Sequence, residues 1–95
     1  MAMTRRRSRL EIYLDILKAI KNGINKPTRI MYATNLSWTP LQEVLESMLS
    51  QNLIQITENN RRKKYFITKK GEKILRYFNE VTRVLKIEHE PEIEL

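Results

Sequence analysis

The side chains most able to do chemistry in this sequence are basic, and they fall in two short runs. They are Arg5, Arg6, Arg7 and Arg9 near the N-terminus and Arg61, Arg62, Lys63 and Lys64 further along the chain. Guanidinium and ammonium groups bind phosphate oxygens, so both runs predict contact with a polyanion. The plainer alternative is that each run is only a solvated stretch of charge.

The charge balance of the whole chain agrees with a polyanionic partner. The 95 residues carry a formal net charge of +7, but residues 88–95 hold four glutamates and no lysine or arginine. Residues 1–87 therefore carry 18 basic and 7 acidic side chains, a net charge of +11. A body this basic most simply predicts binding to nucleic acid. High charge with two glycines and no cysteine is also typical of thermophilic proteins.

No group of residues suggests catalysis. The single histidine, His89, lies between Glu88 and Glu90 in the acidic segment, and three adjacent residues there are a weak metal signal. No phosphate-binding loop, dinucleotide fingerprint or nucleophile elbow occurs. The sequence therefore predicts a protein that is not an enzyme and that uses no cofactor, metal or small-molecule substrate.

The length of the chain is enough for one compact domain. Without cysteine there are neither disulfides nor thiolate metal sites, and no apolar run reaches the length of a membrane span. We therefore expect no membrane partner, and a cytoplasmic protein associated with the nucleoid.

Residues 28–54 predict two helices joined by a tight turn at residues 35–37, which is a helix-turn-helix. The second helix carries apolar side chains at i, i+3, i+4, i+7 and i+8, so one face is expected to be buried. These side chains are Leu41, Val44, Leu45, Met48 and Leu49. The first helix, about residues 27–34, begins at Pro27. Its Ile30 and Ala33, with the following Leu36, are expected to point inward, and Arg29 outward toward a DNA backbone.

Local signals predict the ends of the second helix. Thr39 precedes a proline and is the predicted N-cap, with Pro40 at the first helical position and Gln42 completing a capping box. Ser37 is a competing cap two residues earlier. Asn52 is predicted to end the helix, because asparagine tolerates the left-handed conformation.

The outward face of this second helix is the candidate base-contacting surface. Glu43 and Ser47 lie nearly opposite the buried face, and Thr39 and Gln42 lie near the helix start. Thr39, Gln42 and Ser47 can contact bases or phosphates, whereas Glu43 can accept from cytosine but repels phosphates. None of the four is a lysine or arginine, so we expect only modest sequence preference. Trp38 either contacts DNA or packs at the helix start, and packing is favoured.

The flanking elements complete a fold. Ser8 and Glu11 form a capping box that begins a first helix, which Asn22 and Gly23 end. After the helix-turn-helix, alternation predicts strands at residues 54–57 and 65–67 with a turn at 58–60. Tyr65 and Ile67 share one face of this hairpin, and the second basic run lies on its tip and returning arm. Thr68 is the predicted cap of a last helix, about residues 69–87.

The last helix carries a heptad-like apolar seam. Its members are Ile74, Tyr77, Phe78, Val81, Val84 and Leu85. The seam either packs on the domain's own core or continues into a partner. Because it is longer than one small domain can cover, it predicts a homodimer.

This order of elements predicts a winged helix-turn-helix: a mainly α fold with a small β-hairpin, in which a three-helix core and two-stranded wing precede a long C-terminal helix. We divide the chain into a mobile basic arm (1–7), the winged domain (8–68), a dimerisation helix (69–87) and an acidic tail (88–95). The tail is expected to lack structure, and we hypothesise that it folds back on the basic surface.

Several strings in the sequence resemble one known family. They are residues 28–32, 35–37, 53–54 and 65–68 with Gly71. Over residues 8–87 the chain resembles the archaeal winged-helix DNA-binding proteins of about ten kilodaltons, which include chromatin-associated proteins of thermophiles. The resemblance implies a winged helix, double-stranded DNA binding and a homodimer joined by an antiparallel coiled coil of the C-terminal helices. Asn52 stands where these proteins usually have glycine, and asparagine can adopt the same backbone conformation.

Two functions follow from these patterns. The first is a double-stranded DNA-binding protein that acts as a transcriptional regulator or a chromatin-associated protein. The alternative is a protein–protein interaction module, because the outward face of the second helix carries Glu43 and Glu46.

Overall fold

The computed structural model describes residues 7–86, which form four helices and one two-stranded antiparallel hairpin. The helices are α1 (Arg9–Lys21), α2 (Pro27–Thr34), α3 (Trp38–Ser50) and α4 (Lys69–Leu85), and the strands are β1 (Ile54–Asn59) and β2 (Arg62–Ile67). This order is that of a winged helix, as predicted. Arg5, Arg6 and the acidic tail lie outside the described residues.

One hydrophobic core joins all six elements. Its fully or nearly buried side chains are Ile16, Leu17, Ile20, Ile30, Leu41, Val44, Leu45, Met48, Leu53, Ile54, Tyr65 and Leu75. In α2 the prediction for Ala33 is wrong, because Ala33 is exposed and Thr34 is buried instead. The Thr34 hydroxyl donates a 2.7 Å hydrogen bond to the Ile30 carbonyl, so a polar side chain is satisfied in the core.

The ends of α1 follow the local signals. The Ser8 hydroxyl accepts from the Glu11 amide at 3.0 Å, and the Glu11 carboxylate accepts from the Ser8 amide at 2.8 Å. Gly23, with φ of +95°, lies just past the helix end. The predicted capping box and glycine stop are therefore confirmed.

The start of α3 differs from the prediction. The N-cap is Ser37, and Thr39 is already helical, so Pro40 is the third helical residue rather than the first. A proline is tolerated anywhere in the first turn, because the amide that it lacks would have no partner within the helix. The preference of Thr39 for extended backbone is overcome once α3 packs on the core. The predicted stop is confirmed, since Asn52 has a φ of 62°.

The hairpin is longer than predicted. Its turn consists of Asn60 and Arg61, with φ of 54° and 65°, and not of residues 58–60. Positive φ at both positions matches the twist of the two flanking strands, so the strands pair up to Asn59 and Arg62. Tyr65 and Ile67 share one face, as predicted, and the structure packs this face against the core.

Thr68 joins the helix-turn-helix to α4. Its hydroxyl accepts from the Gly71 amide at 3.0 Å and lies 2.8 and 2.9 Å from the carbonyl oxygens of Asn52 and Leu53, to which it can donate. The first half of α4 is part of the core, because Gly71 and Leu75 are buried. The predicted cap is therefore confirmed, and it fixes where α4 leaves the domain.

Candidate nucleic-acid interface

An open groove lies between the hairpin and the starts of α2 and α3. It is lined by residues 26–28, by Trp38, and by residues 57 and 59–64 of the hairpin. The segment before α2 runs beside β2, and the Asn25 carbonyl accepts a 2.9 Å hydrogen bond from the Tyr65 amide. Backbone pairing therefore holds this side of the groove at a fixed distance from the hairpin.

The groove is basic along both sides. All four predicted wing residues, Arg61, Arg62, Lys63 and Lys64, are exposed and line it. Lys26 faces them from the start of α2, a residue that sequence reasoning missed. None of the described lining residues is acidic, and none of these five cations has a salt bridge within residues 7–86. The structure thus collects positive charge that is available to a ligand.

Both helices that start at the groove lack a side-chain cap. Neither Lys26 nor Ser37, the two N-cap residues, makes a side-chain hydrogen bond to its helix. The first amides of a helix carry partial positive charge and have no intrahelical acceptor. These two helix starts therefore add to the positive potential of the groove.

The predicted base-contacting residues of α3 are not all on one exposed face. Thr39 and Glu43 are exposed and Gln42 is half-buried. Trp38 lines the groove and is 47% exposed, so packing accounts for only part of its surface. Trp38 is the residue of α3 that lines the groove together with the wing.

Ser47 does not point outward as predicted. Its hydroxyl oxygen lies 2.5 Å from that of Tyr13 on α1, and the Gln51 amide donates to both oxygens at 3.2 Å. The hydrogen bond between Ser47 and Tyr13 is the main reason that the pKa of Tyr13 is lowered from its usual value. The side of α3 that carries Ser47 is thus turned toward α1, which helical spacing alone does not reveal.

The N-terminal basic residues behave differently from one another. Arg7 forms a 2.8 Å salt bridge with Asp15 and a 3.3 Å hydrogen bond to the Asn35 carbonyl. It braces α1 against the helix-turn-helix turn, so the predicted mobile arm does not include Arg7. The Arg9 guanidinium lies 5.9 Å from the centre of the Tyr13 ring. Arg29 is exposed on α2, as predicted, and has no salt bridge among the described residues.

The apolar seam of α4 divides into two parts. Ile74 packs against the core of its own domain and Phe78 is half-buried. Four further side chains form an exposed stripe at i, i+4, i+7 and i+8: Tyr77 (68% exposed), Val81 (45%), Val84 (62%) and Leu85 (60%). The second half of α4 therefore presents apolar surface that its own domain leaves uncovered.

Two further properties concern residues 7–86 only. No cluster of three histidine, cysteine or acidic side chains there is arranged to hold a metal ion. None of the helices in this part of the chain is long and apolar enough to span a membrane.

Comparison with known proteins agrees with the fold. The sequence pattern of the winged helix-turn-helix family matches residues 6–86. Two uncharacterised proteins of Methanocaldococcus jannaschii match over 80 residues, which are 84% of this chain. MJ0290 is 36% identical, and the match covers 36% of its length. MJ0287 is 30% identical, and the match covers 78% of its length. The structure of Sso10a-2, a DNA-binding protein from Sulfolobus solfataricus, matches with a TM-score of 0.70 and 27% identity over 84% of this chain and 83% of that one. The chain belongs to the winged helix-turn-helix family.

Proposed function

We propose that this protein binds double-stranded DNA through the groove between the hairpin and the starts of α2 and α3. The observation that carries the proposal is the set of five exposed cations that line this groove without an acidic neighbour in its lining. Phosphate contacts of this kind supply most of the affinity for a duplex and little information about its sequence. The similarity to Sso10a-2, described as a DNA-binding protein, supports the same ligand.

In this mode the start of α3 enters the major groove and the hairpin follows the adjacent backbone. Thr39, Gln42 and Glu43 are then the side chains nearest to base edges, with Trp38 beside them. Glu43 can accept from cytosine, but no arginine on α3 is available for guanine, so the expected preference among sequences is modest. Ser47 is the α3 side chain least suited to contact DNA, because its hydroxyl already forms a hydrogen bond with that of Tyr13.

Basic residues outside the groove extend the contact with phosphates. Arg29 projects from α2, where helix-turn-helix proteins contact the DNA backbone, and Arg9 lies at the start of α1. Arg5 and Arg6 are proposed as further backbone contacts. Arg7 is a weaker candidate, since Asp15 already neutralises its charge.

A homodimer is the proposed assembly. The exposed stripe Tyr77, Val81, Val84 and Leu85 has the spacing of one side of a coiled coil, and pairing of two copies would remove it from water. A dimer would present two grooves to two half-sites of one DNA. The role that fits such a molecule is a transcriptional regulator or a chromatin-associated protein.

Titration with two duplexes of unrelated sequence, each at two salt concentrations, tests the proposal. We expect both duplexes to bind tightly in dilute buffer and to weaken together as salt rises, because counterions are released on binding. Absence of binding in dilute buffer would contradict DNA binding. It would favour the second candidate, a protein-interaction module, for which the exposed carboxylates of Glu43 and Glu46 on α3 are the specific observation.

A further inference from the structure

Trp38, the only tryptophan of the chain, is the one aromatic side chain among the described residues that line the groove. It is the first residue of α3, and 47% of its surface is exposed. Three residues further on, Leu41 is fully buried, so the core holds in place the backbone that carries Trp38. A single exposed apolar side chain is common on protein surfaces. What distinguishes Trp38 is the set of residues around it.

One face of the hairpin lines the groove together with Trp38. Arg62 and Lys64 alternate along β2, and their cross-strand partners on β1 are Asn59 and Thr57. All four residues line the groove. Alternate residues of a β-strand lie on the same side and about 7 Å apart, so these two cations can meet different phosphates of one nucleic-acid strand.

The ring of Trp38 is not covered by the cations that surround it. The groove carries five exposed cations, but the cation that stacks on an aromatic ring within residues 7–86 is Arg9, on Tyr13. Both the charge of the groove and the ring of Trp38 are therefore available to a ligand. The groove suits a ligand that carries both phosphates and flat apolar groups.

Duplex DNA offers no flat apolar group to this ring. In a duplex each base is covered on both faces by its neighbours, and a protein reaches only base edges and the backbone. A single strand can expose its base faces. Proteins that bind single strands combine a basic groove, which follows the backbone, with aromatic side chains on which bases stack. Trp38 and the groove cations form this combination.

We infer that the groove also binds single-stranded DNA, with one base stacked on Trp38 and the neighbouring phosphates held by the cations of the hairpin. Single strands and duplexes then compete for this groove, which is the site of the proposed function, but stacking on Trp38 does not depend on duplex binding. Because every base has a flat π-face, little preference among the four bases is expected.

Removing the bases from a single strand tests the stacking. Binding is measured by fluorescence anisotropy to a labelled oligothymidine, which cannot pair with itself, and to a strand of equal length in which every base is replaced by an abasic site. We expect the unmodified protein to bind the oligothymidine about 5 to 150 times more tightly at the same salt concentration, the factor that stacking of one base supplies.

Variants of Trp38 assign this preference to its ring. Trp38→Ala should bind the two strands with equal affinity, and Trp38→Phe, which keeps a ring, should retain part of the preference. The matched control is Tyr32→Ala, which removes an aromatic side chain that is 78% exposed and does not line the groove. This control should prefer the oligothymidine as strongly as the unmodified protein does.

Tryptophan emission gives a local measurement. Because the chain has one tryptophan, the fluorescence of the unlabelled protein reports on the ring of Trp38 alone. We expect unlabelled oligothymidine to quench this emission. The abasic strand should leave it nearly unchanged, because phosphate contacts do not cover the ring. Equal quenching by the two strands would contradict stacking.

Salt dependence shows whether the hairpin holds the single strand. Arg62→Gln with Lys64→Gln should flatten the slope of log K against log salt for the oligothymidine by about 1.4, because each phosphate contact on a single strand contributes about 0.7. Arg83→Gln with Lys86→Gln, which removes the same charge outside the groove, should keep the slope. An unaltered slope in the hairpin variant would overturn the inference.

Equal affinity of the unmodified protein for the two strands would also overturn the inference, and this comparison does not depend on whether a variant folds. An undiminished preference in Trp38→Ala would have the same consequence. Failure to bind duplex, combined with a preference for oligothymidine that depends on Trp38, would contradict the proposed function and support the inference.

Discussion

The backbone of Gly71 lies so close to the carbonyl oxygen of Leu53 that a β carbon at Gly71 would be 2.2 Å from that oxygen. This approach brings the first turn of α4 against the connection between α3 and β1. The Thr68 hydroxyl bridges the same two segments, since it reaches the Asn52 and Leu53 carbonyls. The direction of α4, and with it the position of its apolar stripe, therefore depends on a residue without a side chain.

Replacement Gly71→Ala should lower the stability of the domain by about 1–3 kcal/mol, because the added methyl group forces two backbones apart. Helix propensity alone predicts the opposite sign, a gain of about 1 kcal/mol. Urea unfolding of the variant decides between them, with Lys73→Ala on the exposed side of α4 as control. A Gly71→Ala protein as stable as the unmodified one would show that the close approach is not maintained.

The buried phenol of Tyr65 should make the domain sensitive to alkali. Burial, and then the nearby carboxylates of Glu46 and Glu58, raise the pKa of Tyr65 above its usual value. A raised pKa in the folded state means that stability is complete below the unfolded pKa, about 10, and is lost as pH rises through the folded value.

We therefore expect Tyr65→Phe to keep its stability to higher pH than the unmodified protein, as measured by unfolding across the alkaline range. Tyr32→Phe, at a position that is 78% exposed, is the matched control and should lose stability with pH as the unmodified protein does. Equal alkaline profiles for the Tyr65→Phe and unmodified proteins would contradict the raised pKa.

Neutralising the hairpin should change how DNA affinity depends on salt. If Arg62 and Lys64 each contact one phosphate, Arg62→Gln with Lys64→Gln should flatten the slope of log K against log salt by about 1.8. The control, Arg83→Gln with Lys86→Gln, removes the same charge from the far end of α4. An unaltered slope in the hairpin variant would mean that the wing does not contact DNA.

The apolar stripe of α4 should hold two copies together. We expect a dimer mass by sedimentation at micromolar concentration, and a monomer for Val84→Lys, because burying an unpaired ammonium group costs several kcal/mol. Asn79→Lys introduces the same side chain at an exposed position outside the stripe and should leave the dimer intact. Monomer mass for the unmodified protein would rule out the proposed assembly.

The amino-acid sequence by itself determined the order of the elements and most of their ends. The capping box of Ser8 and Glu11, the left-handed Asn52 and the cap at Thr68 all depend on residues close in the chain. Local backbone preference and hydrophobic spacing were therefore sufficient to predict a winged helix and a basic wing.

Tertiary structure decided what depends on residues far apart in the chain. Packing of α3 on the core moved its start to Ser37, and pairing of the two strands reduced the turn to Asn60 and Arg61. A hydrogen bond to Tyr13 turns Ser47 toward α1, and a salt bridge to Asp15 holds Arg7 against α1. Folding also places Lys26 opposite the wing. Sequence spacing cannot specify these positions, because each is set by a neighbour that only the folded chain supplies.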